Sequence, residues 1–171
     1  LAKFPKLKYV VSCSVGLDNL DLDNLRARKI ELIHCLGTNA NSVAEYTVYL
    51  ILSLLRNSRP VAELKNKTIG IVGLGYIGKL VAKKLTGLEC RVVACDVIEQ
   101  EPKLLEQLKV EMKSFSEVVR EADILTVHVP LNKNTEKLMN KKAFEQIKEK
   151  AYFINTSRAE VIEEEALIKV Q

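Results

Sequence analysis

Three short segments carry residue types that could do chemistry. In Gly70-Ile-Val-Gly-Leu-Gly-Tyr-Ile-Gly78, Gly73 permits a tight turn and Gly75 lets the backbone approach a pyrophosphate, while Gly78 lets the following helix pack closely on the preceding strand. An acid, Asp96, stands eighteen residues after Gly78, where a carboxylate can accept hydrogen bonds from both hydroxyls of an adenosine ribose. In Asn155-Thr-Ser-Arg158, a planar and permanently charged guanidinium could grip two carboxylate oxygens; spacing alone leaves a plain surface arginine equally open. The small residues of Ser12-Cys-Ser-Val-Gly16 could leave backbone amides free as an anion-binding nest, or form an ordinary turn.

These segments need elements to position them. The apolar run 69–72 reads as a parallel strand covered on both faces. A helix over 76–85 would aim its amide-rich N-terminus, with Tyr76 and Ile77, at the phosphates. A second strand over 91–95 ends at Asp96. That setting makes the glycines a dinucleotide fingerprint rather than a set of turns. Asp96 favours NAD, because a 2′-phosphate beside it would meet a like charge, and Arg91 lies at the wrong end of the strand to offset it.

Strand and helix signals alternate along the rest of the chain, which predicts an α/β fold with a doubly wound parallel sheet. Strands are expected at 7–13, 31–36, 110–112, 124–129 and 151–155. Helices are expected at 22–28 with Asp21 as cap, 103–108, 115–121 with Ser114 as cap, 141–147 and 163–170. A further helix over 43–57, capped by the polar loop 37–42 and ended by Pro60, is apolar nearly all round and should be buried. Ligands of such sheets lie outside the carboxyl ends of the strands. This brings Val127-His-Val-Pro-Leu131, with Thr135 behind it, to the adenine and ribose side of a cleft. His128 has a side chain that titrates in the useful range, yet at a strand end it reads as a hydrogen-bonded structural histidine, and His34 within an apolar strand reads likewise.

Composition narrows the partners. A net charge of +4 with scattered lysines does not suggest nucleic acid, and the longest apolar stretch, 48–55, is far too short to span a bilayer. No signal peptide opens the chain, which begins like a cut into a longer one and stops in mid-helix like a truncation. Cys13, Cys35, Cys90 and Cys95 lack metal-ligand spacing; they read as reduced core cysteines of a cytoplasmic protein, and no metal is expected.

Taken together, the segments resemble the D-isomer-specific 2-hydroxyacid dehydrogenases. The matching residues are Ser14-Val-Gly-Leu-Asp-Asn-Leu-Asp21, Asn41-Ser-Val-Ala-Glu45, the glycine loop, His128-Val-Pro-Leu131 with Thr135, and Ile154-Asn-Thr-Ser-Arg158. The resemblance implies a Rossmann-type NAD-binding domain over 37–171 and, over 1–36, the last part of a flavodoxin-like substrate domain. It implies that the helix over 43–57 joins the domains and helps build a homodimer. Gly73, Gly75, Tyr76, Ile77 and Gly78 would meet the pyrophosphate, and Asp96 the adenosine ribose. Val129, Pro130 and Thr135 would border the adenine end, and Thr156 and Ser157 the nicotinamide ribose. Arg158 would be the catalytic arginine that grips the carboxylate and carbonyl oxygen of a small 2-hydroxy or 2-oxo acid. Ser14, Val15 and Gly16 would form the loop whose amides hold that carboxylate.

The family's acid/base histidine and its glutamate would lie beyond the last residue, so this stretch alone should bind NAD weakly and turn nothing over. Glyoxylate, hydroxypyruvate or a similar acid is the expected substrate. The alternatives are a 3-phosphoglycerate dehydrogenase and, in another class, a non-enzymatic NAD-sensing dimer of corepressor type. The chain departs from the family's pattern at three places. Arg59-Pro-Val-Ala-Glu-Leu64 stands where members carry a longer segment, often with a Trp, either deleted or omitted here. Ala159 replaces the usual glycine, and Ser12 stands where many members have Arg, which weakens a phosphorylated substrate.

Overall fold

The computed structural model describes residues 3–14 and 16–168. Two short parallel strands come first, β1 (Tyr9–Ser12) and β2 (Glu31–His34), connected through α1 (Leu22–Ala27). Asp21 caps α1 by accepting from the Asn24 amide. A long helix, α2 (Ala40–Asn57), then leads to the larger unit. That unit runs β3 (Thr68–Val72), α3 (Tyr76–Leu85), β4 (Arg91–Cys95), α4 (Pro102–Leu108), β5 (Val110–Met112), α5 (Phe115–Glu121), β6 (Ile124–Val127), α6 (Lys141–Phe144), β7 (Tyr152–Asn155) and α7 (Glu164–Ile168).

All neighbouring strands of the larger sheet pair in parallel, in the order β5-β4-β3-β6-β7. The chain therefore reverses its direction of travel between β3 and β6, and this is where a crevice opens at the strands' carboxyl ends. Both sheet faces are covered, as the continuous apolar runs require. Ile69, Ile71, Val92, Ala94 and Ile124 pack on one side with Ile51, Val81 and Leu85 of the helices. Val72, Val93, Leu125 and Val127 pack on the other with Val118 and Phe144. Gly70 lets α5 lie directly on β3, since a Cβ there would stand 2.8 Å from that of Ala122. Ser114 and Glu117 form a reciprocal capping box that starts α5.

The structure modifies several expectations, among them the ends of β2 at His34 and of α6 at Phe144, two and three residues early. α2 begins at Ala40, so Asn41 lies inside it and bonds Glu45 instead of capping. Its apolar surface is only half covered. Ala44, Thr47, Ile51 and Leu55 make one buried stripe, while Tyr46 and Tyr49 stay 56% and 62% exposed, because α3 and the sheet reach only one flank. β6 ends at Val127, two residues early. The His128 amide still donates to Val72 O at 2.8 Å, but Pro130 has no N–H to continue a ladder. Finally, Cys13 is exposed rather than in a core, since β1 presents alternate residues to solvent. The link from α2 to β3 is direct, with the Ala62 amide donating to Leu55 O at 3.1 Å and Leu64 buried.

Candidate active site

The glycine loop leaves β3 at the crevice. Gly73 adopts φ +96°, a conformation open mainly to glycine. A Cβ on Gly78 would stand 2.2 Å from Gly73 O, so the bare α-carbon is what seats the first turn of α3 on the loop. A Cβ on Gly75 would meet nothing within 4 Å; that stretch of backbone is open to a ligand. Asp96 pins the loop from the neighbouring strand end. Its Oδ2 accepts from the Leu74 amide at 2.6 Å and its Oδ1 from the Ile98 amide at 2.9 Å. Each carboxylate oxygen keeps a further lone pair for a hydroxyl donor.

A groove of about 540 Å³ runs from this loop past Asp96, with Val97, Ile98, Val129, Pro130 and Thr135 on its walls. Thr135 holds the far wall in place, since its hydroxyl donates to Pro130 O at 2.5 Å and accepts from the Asn132 amide at 2.8 Å. Beyond His128 and Pro130 the groove adjoins a smaller cavity of about 100 Å³, lined by Ser14, Asp18, Asn39, Ile77, Ser157 and Arg158 among others. The structure therefore brings together residues from loops at the two ends of the sequence. Tyr76 stands 58% exposed at the start of α3, its ring against Gly37. Val15 lies outside the described residues.

Arg158 owes its position to a stapled turn. The Asn155 side chain accepts from the Ser157 amide at 2.9 Å and hydroxyl at 2.8 Å, and donates to Arg158 O at 2.8 Å, an Asx-turn in which the carboxamide replaces a strand partner. The Arg158 Nε–H donates to Asp18 Oδ2 at 2.7 Å, and Nη1 donates to Ser157 O at 3.2 Å. The hydrogen-bonded guanidinium holds the Asp18 carboxyl below its ordinary range, and Asp18 in turn raises the arginine. On the other side, Ser14 Oγ donates to Gly16 O at 2.7 Å, and His34 Nε2 donates to Ser14 O at 2.8 Å. His34 thus holds the backbone at Ser14. Asn39 Oδ1 is buried on this cavity without a hydrogen-bond partner.

His128 is a structural group, as its place at a strand end suggested. It is 9% exposed, with Nε2 3.0 Å from Thr126 Oγ1 and Nδ1 3.1 Å from Thr156 Oγ1. Thr156 also lies 3.4 Å from Thr47 Oγ1, whose hydroxyl donates to Val43 O at 2.9 Å. With the ring neutral, one proton order satisfies every member. Thr47 donates to Val43 O, Thr156 to Thr47, the Nδ1–H of His128 to Thr156, and Thr126 to Nε2. Burial keeps the imidazole neutral near pH 7, pushing it down to about 4 from an ordinary 6.5. The chain ties the 155–158 turn to α2. Because the unfolded chain binds a proton at His128 near pH 6.5 and the native one only near pH 4, stability contributed here falls as the pH drops through that window. The drop is about 3 kcal/mol by the size of the shift. Denaturant unfolding of the wild type and of His128→Asn across pH 4 to 7 should show this slope in the first and lose it in the second.

Two contacts around the cavity were not legible in the sequence. Asp18 and Arg158 are 140 residues apart, so their pairing is visible only in three dimensions. Thr47 looked like one more residue in an apolar helix, and its hydroxyl matters only through Thr156.

A parallel sheet with a glycine loop at its switch point and an acid at the next strand end define a Rossmann-type dinucleotide-binding protein, here with a pocket lined by the Arg158–Asp18 ion pair beside the groove. A family model described as "D-isomer specific 2-hydroxyacid dehydrogenase, NAD binding domain" matches residues 40–171, and the chain belongs to that family. The chain is 34% identical to a glyoxylate reductase of Thermofilum pendens, over 96% of this chain and 55% of that protein. It is 33% identical to a D-3-phosphoglycerate dehydrogenase of Mycobacterium leprae, over 98% of this chain and 34% of the relative. The chain thus spans about half the length of such relatives, or less. Among solved structures it is similar to D-lactate dehydrogenase from Aquifex aeolicus complexed with NAD and lactic acid, with a TM-score of 0.85 and 31% identity over 99% of this chain and 55% of that one. The cofactor of the domain is NAD, and the residues present fit it. The loop is bare at Gly75, the carboxylate of Asp96 retains acceptor capacity, and the groove is large and largely apolar. Among the described residues no helix is long and apolar enough to cross a membrane.

Proposed function

We propose that the protein carrying this chain is an NAD-dependent dehydrogenase of small 2-hydroxy and 2-oxo acids of the glyoxylate or hydroxypyruvate kind. The observation that carries this reading is the placing of Arg158 on a cavity of about 100 Å³ next to the cofactor groove. The cavity is small beside the cofactor groove of about 540 Å³, which suits a compact acid. The free edge of the guanidinium suits a carboxylate with an adjacent carbonyl oxygen. Asn39, with its unpartnered Oδ1, adds a hydrogen-bonding group to the same cavity.

NAD, when bound, supplies the hydride acceptor and its reduced form the donor. Gly73, Gly75, Tyr76, Ile77 and Gly78 hold the pyrophosphate, Asp96 the adenosine ribose, and Val129, Pro130 and Thr135 the adenine side. Thr156 and Ser157 border the nicotinamide ribose, with the Thr156 hydroxyl kept in place by His128. Arg158 orients the substrate, and Ser14, Val15 and Gly16 complete the carboxylate loop. His128 moves no proton, because both ring nitrogens are engaged and the ring is neutral. The acid/base histidine is supplied from outside this stretch.

The same reading assigns 1–36 to the end of a substrate domain and 37–171 to the cofactor domain. The apolar side chains Tyr9, Val11 and Ile33 that β1 and β2 leave exposed are then covered by the rest of that domain. The uncovered flank of α2, where Tyr46 and Tyr49 stack with ring centroids 6.1 Å apart, forms part of a homodimer. The protein works in the cytoplasm.

The test is oxidation of NADH by the full-length protein with glyoxylate, hydroxypyruvate and 3-phosphohydroxypyruvate. Glyoxylate or hydroxypyruvate should be reduced fastest. Faster reduction of the phosphorylated acid makes this a phosphoglycerate dehydrogenase, and NADH binding without turnover of any 2-oxo acid makes it a sensor. Asp96→Ala should weaken NADH by about tenfold, the scale of a lost hydrogen bond to a charged group, and should narrow the preference over NADPH. Equal loss for both cofactors in a binding titration would remove Asp96 from the ribose.

A further inference from the structure

Arg158 does not stand free on its cavity; Asp18 holds it by one edge. The Nε–H has a single direction in the guanidinium plane, and Asp18 Oδ2 takes it at 2.7 Å. One Nη1 proton goes to Ser157 O at 3.2 Å. Of the five N–H donors, three remain, all on the terminal nitrogens. Two anchors on different edges fix the plane of the fork, which a long side chain on a loop would otherwise be free to swing.

Gly16 shows how closely this arrangement is packed. A Cβ there would stand 2.3 Å from Asp18 Oδ1 and 2.8 Å from Arg158 Nη2. The missing side chain leaves room for Asp18 Oδ1 and Arg158 Nη2, both of which a Cβ there would strike. Of the side chains around the cavity, Asp18 and Arg158 are the charged ones. Asp18 comes from the stretch before α1 and Arg158 from the turn after β7, so the pair also bridges the smaller and larger sheets across the cavity.

We propose that Asp18 is a positioning residue for Arg158, holding the guanidinium by Nε so that its terminal nitrogens face the carboxylate and carbonyl oxygen of the substrate. This role rests on the hydroxyacid reading of the site. A carboxylate that merely competed for the arginine would be expected on the Nη edge, where ligand and acid exclude each other. Asp18 takes the edge that leaves the terminal nitrogens available.

The test is steady-state reduction of glyoxylate by the full-length protein carrying Asp18→Ala or Asp18→Asn. Asp18→Ala leaves the arginine's charge but not its orientation, so kcat should fall by about 10- to 100-fold, the cost of a small misplacement. KM for glyoxylate and for NADH should stay within about threefold. Asp18→Asn retains an oxygen acceptor for Nε–H and should recover most of the lost kcat. Three results overturn the proposal: unchanged kcat in Asp18→Ala; a lower KM in both variants with no loss of kcat, which would make Asp18 a competitor; or loss of NADH binding in parallel, which would make its role general. Failure of the hydroxyacid reading shows separately, as an unmodified protein that reduces no 2-oxo acid, and removes this role with it.

Discussion

Arg158→Ala is expected to cut kcat/KM for glyoxylate in the full-length protein by about 10²- to 10³-fold or more, on the scale of losing one preorganised donor to a developing oxyanion. NADH affinity should remain within about twofold. The reason lies in the charge arrangement around the cavity. Arg158 supplies the positive charge that its lining offers, and Asp18 the negative. Truncating the arginine removes the carboxylate's partner and leaves an unpaired acid facing an anionic substrate, so attraction becomes repulsion. Arg158 does not line the groove that runs from the glycine loop past Asp96, which is why binding of the nucleotide should survive. Arg158→Lys separates charge from shape. It keeps the cation but loses the planar fork and the Nε bond, and should recover only a small part of the activity. Stopped-flow or fluorescence titration with NADH, alongside glyoxylate kinetics, measures both quantities. A parallel loss of NADH affinity in Arg158→Ala would place the arginine in the cofactor site instead.

The second large effect belongs to Gly78. Alanine there would put a methyl 2.2 Å from Gly73 O and 3.2 Å from Ile71 Cγ2, so α3 must retreat by roughly 1 Å or the loop must open. Neither is easy. Val81, Ala82 and Leu85 of α3 are fully buried against α2 and the sheet, and shifting a packed helix costs about 1–3 kcal/mol. The expected result for Gly78→Ala is a lowered Tm together with NADH binding weakened by about 100-fold, the fold-change for roughly 3 kcal/mol. Gly75→Ala is the matched control. Its Cβ would meet nothing within 4 Å and its φ of −80° suits any residue, so Tm should not change. Any loss of NADH affinity in that variant then reports contact between loop and pyrophosphate. Equal thermal stability in both variants would contradict the close approach of α3 to the loop.

Much of the fold was legible because its signals are local. The β3-loop-α3-β4 unit, the capping box at Ser114 and the cap at Asp21 depend on residues a few positions apart. The alternating pattern of strands and helices leaves few ways to build a sheet. α2 was harder to read. Its apolar circumference says that much of it is covered by something, but not by what, and here one chain covers a single flank. Cys13 misled for a similar reason, since an apolar strand suggests a core that the small β1-β2 sheet does not provide within this stretch.

The candidate site divides along the same line. The amino-acid sequence by itself determined the class of ligand, because glycines at 73, 75 and 78 and an acid at 96 act through backbone conformation and one neighbouring strand. It also placed Arg158 at a strand's carboxyl end. Tertiary structure decided what that arginine can do. It brought Asp18 across the cavity onto Nε of Arg158 and packed both side chains against Gly16. It also supplied the partners of His128, Thr126 and Thr156, and the burial that keeps its ring neutral near pH 7. Those outcomes depend on desolvation and on distant contacts, Asp18–Arg158 and Thr47–Thr156 being more than a hundred positions apart, and a linear pattern carries neither.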